Sequence, residues 1–236
     1  GNNFSDLINH KLISDPFAAS NEDSVQWLSK TEWTYRTHFT SLKEDNQRLV
    51  FNGLDTYAKV SLNDSLILVT DNMFRSYELD VSEILQDYNE LQVSFSPVYI
   101  EELKKAKKID YELPGGSRVF TRKAGFHYGW DWAPKITPSG IWRPVELHGW
   151  SFACIRDFHV QQDLLTDSLA NLAIEVDLDV VKKGAYQFRI NDSIYNYQLL
   201  VGPQKIKLSY SIVQPRKWWP IGHGEQYLYN IQLSLL

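Results

Sequence analysis

The chain has 236 residues, a formal net charge of −5, 43% hydrophobic and 22% charged residues, values typical of a globular protein with one large or two ordinary domains. No cluster of Lys and Arg with interleaved aromatic residues occurs, so we expect no nucleic-acid partner. We also expect no membrane partner, because no apolar run reaches the length of a membrane span, and the first residues show no secretory signal.

A single cysteine, Cys154, excludes an internal disulfide framework, and its apolar neighbours predict a buried, inert thiol. The aromatic content is high, at 14% of the residues with eight Trp. Aromatic side chains fill the cores of β-sandwiches, and they also form the flat apolar walls on which sugar rings lie. Composition therefore leaves both uses open.

The beginning of the chain predicts short helices. Apolar residues at helical spacing follow Ser5, and this run ends before Pro16. Residues 21–30 predict one or two further turns that bury three side chains: Val25, Trp27 and Leu28. A later amphipathic helix is predicted over residues 99–108, where we interpret the basic run Lys104–Lys108 as a solvated face.

Between residue 33 and residue 150 the hydrophobic pattern has period two. The segment "NELQVSFSP" is a clear example, with Leu91, Val93 and Phe95 on one face. Many such short segments, separated by turn signals, are typical of a sandwich or a barrel of strands.

After residue 150 the strands become plainer and closely spaced. The segment "LAIEVDLDV" places five apolar side chains on one face: Leu172, Ile174, Val176, Leu178 and Val180. Roughly half a dozen strands of this kind predict an immunoglobulin-like sandwich.

We therefore predict an all-β chain with two domains, residues 1–150 and residues 151–236. Strands do not alternate with long helices, so no TIM, or (β/α)₈, barrel is predicted within the chain. The last predicted strand runs to Leu236 without a terminating turn, and we expect the chain to be a fragment of a longer protein.

The densest group of candidate binding residues lies in the segment "RKAGFHYGWDWAPKITPSGIWRP", residues 122–144, and is concentrated in residues 126–132. It combines four aromatic side chains with one carboxylate, and its Gly and Pro residues favour a stiff loop. Strict alternation would place Trp130 and Trp132 on one side and Asp131 on the other. Indole faces beside a carboxylate suit a neutral polyol, because the carboxylate accepts hydrogen bonds from two hydroxyls. The alternative is a sandwich core in which Asp131 caps a turn.

Other segments favour structural interpretations. We interpret "PRKWWPIGHGEQYLY", residues 215–229, as a rigid turn that packs aromatic side chains into a seam between domains. His127 and His223 have no second ligand at metal spacing, so each is interpreted as a satisfied structural histidine. Two Asn-Glu pairs, at 21–22 and 89–90, are interpreted as a helix cap and a strand start, since no pair of carboxyl groups facing one cleft is evident.

Eight segments, in order, resemble the N-terminal half of the β-mannosidases of glycoside hydrolase family 2. The similarity extends over nearly the whole chain and is most specific in "GWDW" and "WWPIGHGEQYLY". The eight segments are "DLINHKLISDPF", "NEDSVQWL", "EWTYRTHF", "FNGLDTYAKVSLND", "DNMFRSYELDV", "GFHYGWDWAP", "GIWRPVELHGW" and "WWPIGHGEQYLYNIQL". This sequence departs mildly from the family at Ala133, often Gly there, and at His223, often Tyr.

The resemblance implies a jelly-roll, galactose-binding-domain-like β-sandwich followed by an immunoglobulin-like β-sandwich. In such enzymes a separate (β/α)₈ barrel carries the two catalytic glutamates, so no catalytic residue is expected in this chain. They remove terminal β-linked mannose with retention and need no metal or organic cofactor. Their Trp-Asp-Trp loop reaches into the barrel's pocket and contacts the terminal mannose, which assigns substrate binding to Trp130, Asp131 and Trp132.

Three functions are open at this point. The first is a non-catalytic part of a retaining β-mannosidase, whose partner is a β-mannoside bound together with the barrel. The second is a free-standing carbohydrate-binding module. The third is a purely structural or adhesive pair of sandwiches without sugar affinity, which the order of the eight segments disfavours.

Overall fold

The computed structural model of the protein describes residues 1–236, which divide into two compact units, Gly1–Gly149 and Trp150–Leu236. The α-helices are short: α1 (Asn3–Asn9), α2 (Asn21–Ser24) and α3 (Val98–Ala106). Turns of 3-10 helix lie at Gln26–Lys30, Gly116–Phe120 and Gly125–Tyr128. No helix has the length and apolar character needed to cross a membrane.

Strands form the framework of both units. The first unit contains β1 (Trp33–Thr40), β2 (Asn46–Phe51), β3 (Leu54–Asp55), β4 (Ala58–Leu62), β5 (Ser65–Val69), β6 (Tyr77–Asp80), β7 (Tyr88–Phe95), β8 (Gly140–Ile141) and β9 (Val145–Trp150), the last of which ends one residue into the second unit. The second contains β10 (Ala153–Leu165), β11 (Leu169–Val180), β12 (Gly184–Ile190), β13 (Ser193–Leu199), β14 (Gly202–Val213) and β15 (Leu233–Leu235).

The first unit is a sandwich of a four-stranded sheet, in the order β1-β7-β4-β5, and a three-stranded sheet, in the order β6-β2-β9. Both sheets contribute side chains to one core, among them Phe51 from β2, Val60 from β4 and Phe95 from β7. In β7, alternate residues are buried, so the predicted inward face of Leu91, Val93 and Phe95 is confirmed. A two-stranded sheet, β3-β8, adds a further pairing.

The second unit has two three-stranded sheets, in the orders β10-β11-β14 and β13-β12-β15. Ile174 and Val176 of β11 pack in the same core as Phe188 of β12. Alternating apolar residues thus bury one face of each sheet, as the period-two pattern predicts. The all-β class and the absence of a (β/α)₈ barrel in this chain are confirmed.

The helices differ from the prediction in detail. Helix α1 begins at Asn3 instead of after Ser5, because the Asn2 side chain accepts a hydrogen bond from the Ser5 N–H at 2.9 Å and caps the helix. It ends at Asn9, and Lys11 then adopts a left-handed backbone with φ of 58°.

Three burial predictions near these elements have mixed outcomes. Val25 and Leu28 are buried as predicted, whereas Trp27 is 49% exposed and contacts the Trp33 ring in a tilted arrangement, with the ring centroids 6.0 Å apart. The prediction for Trp27 is therefore wrong. Cys154 is partly instead of fully buried. In the basic run, Lys105 departs from the solvated face, since its Nζ lies 4.7 Å above the Tyr57 ring.

Candidate functional site

The segment singled out from the sequence forms a tight turn at the surface of the first unit. The N–H of Trp130 donates to the carbonyl of Ala133 at 3.0 Å, and the N–H of Ala133 donates back to Trp130 at 3.1 Å. Asp131 and Trp132 are therefore the two central residues of a hairpin-like turn, which we call the Trp130–Ala133 turn. The strict alternation considered from the sequence does not apply, because the segment turns instead of extending.

The two indoles of this turn stay together and face solvent. Trp130 is 60% and Trp132 is 83% exposed, and their ring centroids lie 6.0 Å apart in an edge-to-face arrangement. The core interpretation of this segment is therefore wrong for both Trp side chains. Large apolar rings held in water on one short turn are typical of a binding surface.

The carboxylate of Asp131 is exposed and makes no hydrogen bond or ion pair with any other residue of the chain. The alternative prediction, in which the Asp131 side chain caps a turn, is therefore wrong. Its acceptor capacity therefore remains available on the same turn as the two indoles.

The base of the turn is held firmly. Gly129 has φ of 82°, and a Cβ at this position would lie 3.2 Å from the backbone of Lys135, so the two ends of the turn approach each other closely. The Lys135 N–H donates to Glu22 Oε1 at 2.7 Å, and its carbonyl accepts from Gln26 Nε2 at 2.8 Å. Both backbone groups of Lys135 are therefore fixed by the segment that contains α2 and the following 3-10 turn.

A second set of contacts anchors the chain just before the turn. The hydroxyl of Tyr128 donates to Glu102 of α3, a carboxylate that is only 3% exposed. Burial, together with this carboxylate, raises the pKa of Tyr128, so the phenol stays protonated and remains a donor. The Thr137 hydroxyl donates to the carbonyl of His127 at 3.0 Å and ties down the same segment.

A buried ion pair lies under this region. Lys123 Nζ is 2.5 Å from Asp55 Oδ2 and 2.6 Å from the carbonyl of Pro138, and both charged side chains are almost fully buried. His127 Nδ1 lies 3.7 Å from the same carboxylate oxygen but has no hydrogen-bond partner. Burial, and then the charge of Lys123, lower the pKa of His127 to about 4.

The prediction that His127 is satisfied is therefore wrong for Nδ1, and its structural role stays a prediction. His223 lies exposed in a surface turn, where its N–H donates to Pro220. No group of three or more His, Cys, Asp and Glu side chains is arranged to hold a metal ion.

The other sequence candidates lie elsewhere. Trp218 and Trp219, which are 55% and 48% exposed, belong to a compact turn in the second unit, and the predicted seam between domains stays a prediction. Asn89 is fully buried and Glu90 contacts Arg36 and His38, so this Asn-Glu pair belongs to the framework of β7.

Two cavities flank the Trp130–Ala133 turn. One, of about 630 Å³, is lined by Phe17, Glu22 and the turn itself. The other, of about 600 Å³, lies beside Val119, Phe126 and the two indoles. Because a pyranose ring has apolar C–H faces and polar edges, a mixed surface of this kind suits a neutral polyol.

The comparisons with known proteins identify the class of this chain. Residues 1–143 match the galactose-binding domain-like family of glycosyl hydrolase 2, and residues 153–236 match glycosyl hydrolases family 2. The chain belongs to glycoside hydrolase family 2, and the predicted galactose-binding-like and immunoglobulin-like domains are confirmed.

Individual relatives narrow this assignment. The chain is similar to β-mannosidase B from Thermothelomyces thermophilus, with 33% identity over 98% of this chain and 28% of the relative, and to that from Emericella nidulans, with 33% identity over 98% and 29%. It corresponds to the N-terminal portion of such enzymes and spans less than a third of their length.

Solved structures agree with this assignment. A β-D-mannosidase from Dictyoglomus thermophilum superposes with a TM-score of 0.89 and 35% identity over 100% of this chain and 31% of that chain. An exo-chitosanase from Amycolatopsis orientalis gives a TM-score of 0.72 at 20% identity, over 99% of this chain and 27% of that chain, and supports the fold alone.

Proposed function

We propose that this chain is the non-catalytic, sugar-contacting part of a retaining β-mannosidase that hydrolyses terminal β-D-mannosides. In this proposal the Trp130–Ala133 turn forms one wall of the pocket for the terminal mannosyl residue. The observation that carries it is the Asp131 carboxylate, which is exposed without a protein partner on the same firmly anchored turn as two exposed indoles. The β-mannosidases similar to the chain support the substrate class.

Each side chain of the turn has a chemical role in the proposal. An indole covers the apolar C–H face of the sugar ring, while Asp131 accepts hydrogen bonds from two hydroxyls. Such contacts position the glycosidic bond but do not break it. Retaining hydrolysis needs two carboxyl groups about 5–5.5 Å apart on either side of that bond, and we assign this pair to the part of the protein beyond this chain.

The proposal is tested by Asp131→Ala in the full-length enzyme. We expect kcat/KM on an aryl β-mannoside to fall by about one to two decades, since a lost hydrogen bond to a charged group costs about 1.5–3 kcal/mol. The exposed Asp163→Ala serves as a matched control and should leave kcat/KM unchanged. A loss smaller than about threefold in Asp131→Ala would contradict the role.

The free-standing module makes a different prediction for the chain by itself. In our proposal the chain has only one wall of the pocket, so calorimetric titration with mannose should show no dissociation constant below about 1 mM. Tight binding by the 236-residue chain would instead favour a complete carbohydrate-binding module.

A further inference from the structure

We propose that a third cavity of the first unit, which we call the Glu102 cavity and which lies next to the Trp130–Ala133 turn, binds another neutral saccharide unit of the same substrate. The cavity has a volume of about 610 Å³, and its wall includes Lys30, Tyr99, Glu102, Arg118, Tyr128 and Lys135. This inference rests on the proposed function of the turn, and it assigns a role to a carboxylate that the terminal-sugar pocket does not use.

Glu102 is the central group of this cavity. Its side chain is 97% removed from solvent, and one oxygen accepts from the Tyr128 hydroxyl. The other oxygen has only the Ser117 hydroxyl at 3.5 Å, which is the outer limit of a hydrogen bond. A carboxylate accepts up to about four hydrogen bonds, so Glu102 retains capacity in a buried position where unused capacity is costly. A sugar hydroxyl is a donor of the right size and charge.

Hydrogen-bond donors with a positive charge also line the cavity. Lys30, Arg118 and Lys135 make no ion pair, so their side chains are available as donors to sugar oxygens. Tyr99, at the start of α3, is 46% exposed and offers a flat ring for a C–H face. Acceptor, donors and ring together match a polyol.

The charges define the class of saccharide. Three cations around one cavity disfavour an amino sugar that carries a positive charge. An acidic group of a uronate or a sulfated sugar would be attracted by the three exposed cations but repelled at Glu102, where the unused acceptor capacity needs a donor instead. The neutral unit is the one that the proposed β-mannoside substrate supplies. A neutral hexose unit avoids both penalties.

The position of the cavity links it to the turn. Tyr128 and Lys135 line the Glu102 cavity and also the cavity of about 630 Å³ that flanks the Trp130–Ala133 turn. A saccharide longer than one unit can therefore contact both cavities at once. We therefore expect the Glu102 cavity to bind oligosaccharides more tightly than simple aryl or methyl glycosides.

The test uses the 236-residue chain, because the cavity is formed entirely within its first unit. The ¹⁵N-labelled chain is titrated with β-1,4-mannotriose and, separately, with methyl β-mannoside, each to about 50 mM, which covers millimolar dissociation constants. We expect mannotriose to shift the amide signals of residues 115–117 at a lower concentration than methyl β-mannoside does. No shift of these signals by mannotriose would overturn the inference.

Two variants make the test specific. Tyr99→Ala should weaken mannotriose binding at the 115–117 amides about fivefold, as expected for the loss of an aromatic platform. Tyr88→Ala is the matched control, since Tyr88 is 63% exposed and does not line this cavity, and it should have no effect. Equal affinities in both variants would overturn the inference. The role of the turn is judged separately, by kcat/KM of Asp131→Ala, so the two proposals can fail independently.

Discussion

The carboxylate of Glu22 accepts a hydrogen bond from the backbone N–H of Lys135 at 2.7 Å, although the two residues are 113 positions apart in the chain. Lys135 closes the base of the Trp130–Ala133 turn, where its backbone lies against Gly129. Together with the hydrogen bond from Gln26 Nε2 to the Lys135 carbonyl, this contact ties the base of the turn to the helical segment near the start of the chain.

Replacing Glu22 tests this anchoring. Glu22→Ala removes the acceptor, and because the bond is solvent-exposed we expect a loss of only about 1 kcal/mol in the free energy of unfolding. The clearer effect should be local: the Lys135 amide should exchange its hydrogen faster. Glu22→Gln keeps an oxygen in place and should restore slow exchange. Fast exchange in both variants, or in neither, would show that Glu22 does not anchor the turn.

The backbone of Gly129 gives a second prediction. Gly129→Ala introduces a Cβ at φ of 82° and 3.2 Å from the backbone of Lys135, so both strain and crowding oppose it. We expect a loss of about 1–3 kcal/mol in the free energy of unfolding, measured with urea. Gly125→Ala is the matched control, since its new Cβ would meet no atom within 4 Å. Equal losses in the two variants would contradict this account.

The sandwiches were predictable from the sequence because strand burial is a local, periodic property. The alternation in β7 and β11 is visible residue by residue, and the structure buries the predicted apolar residues except Leu172, which is only partly buried. The Trp130–Ala133 turn was also visible, since four aromatic residues and a carboxylate flanked by Gly form a strong local signal.

The supports of the turn were not predictable, because each depends on contacts between distant segments. Lys123 gives no sign in the sequence that it is buried, and its partner Asp55 lies 68 residues earlier. Glu102 was assigned to an ordinary amphipathic helix, yet it is buried beside Tyr128. A charged residue is normally predicted to be exposed, and it is buried only when a partner from elsewhere in the chain pairs with it. Because the partner is distant in sequence, the hydrophobic periodicity does not reveal such a buried pair.

The buried pair of Lys123 and Asp55 gives a third prediction. Lys123→Met leaves a carboxylate that is 3% exposed without its cation, and we expect it to cost about 3–5 kcal/mol. Adding Asp55→Asn removes the stranded charge, so the double variant should be more stable than the sum of the two single losses implies. Urea unfolding of the four proteins measures this coupling. Strict additivity would show that the two side chains do not stabilise each other.

The last prediction concerns pH and His127. Its pKa in the folded protein is lowered to about 4, whereas an unfolded His titrates near 6.5. As the pH falls from 6.5 towards 4, the unfolded chain therefore binds a proton that the folded chain does not, and stability decreases. Above 6.5 both states are neutral, so this residue contributes no pH dependence there.

His127→Gln removes this titration, so its free energy of unfolding should decline less than that of the wild type between pH 6.5 and pH 4. Other groups also titrate in this range, and the difference between the two proteins isolates the histidine. The exposed His159→Gln is the matched control and should follow the wild-type curve. If His127→Gln also follows that curve, the imidazole takes up its proton equally well in the folded state, and its burial beside Lys123 does not affect stability in acid.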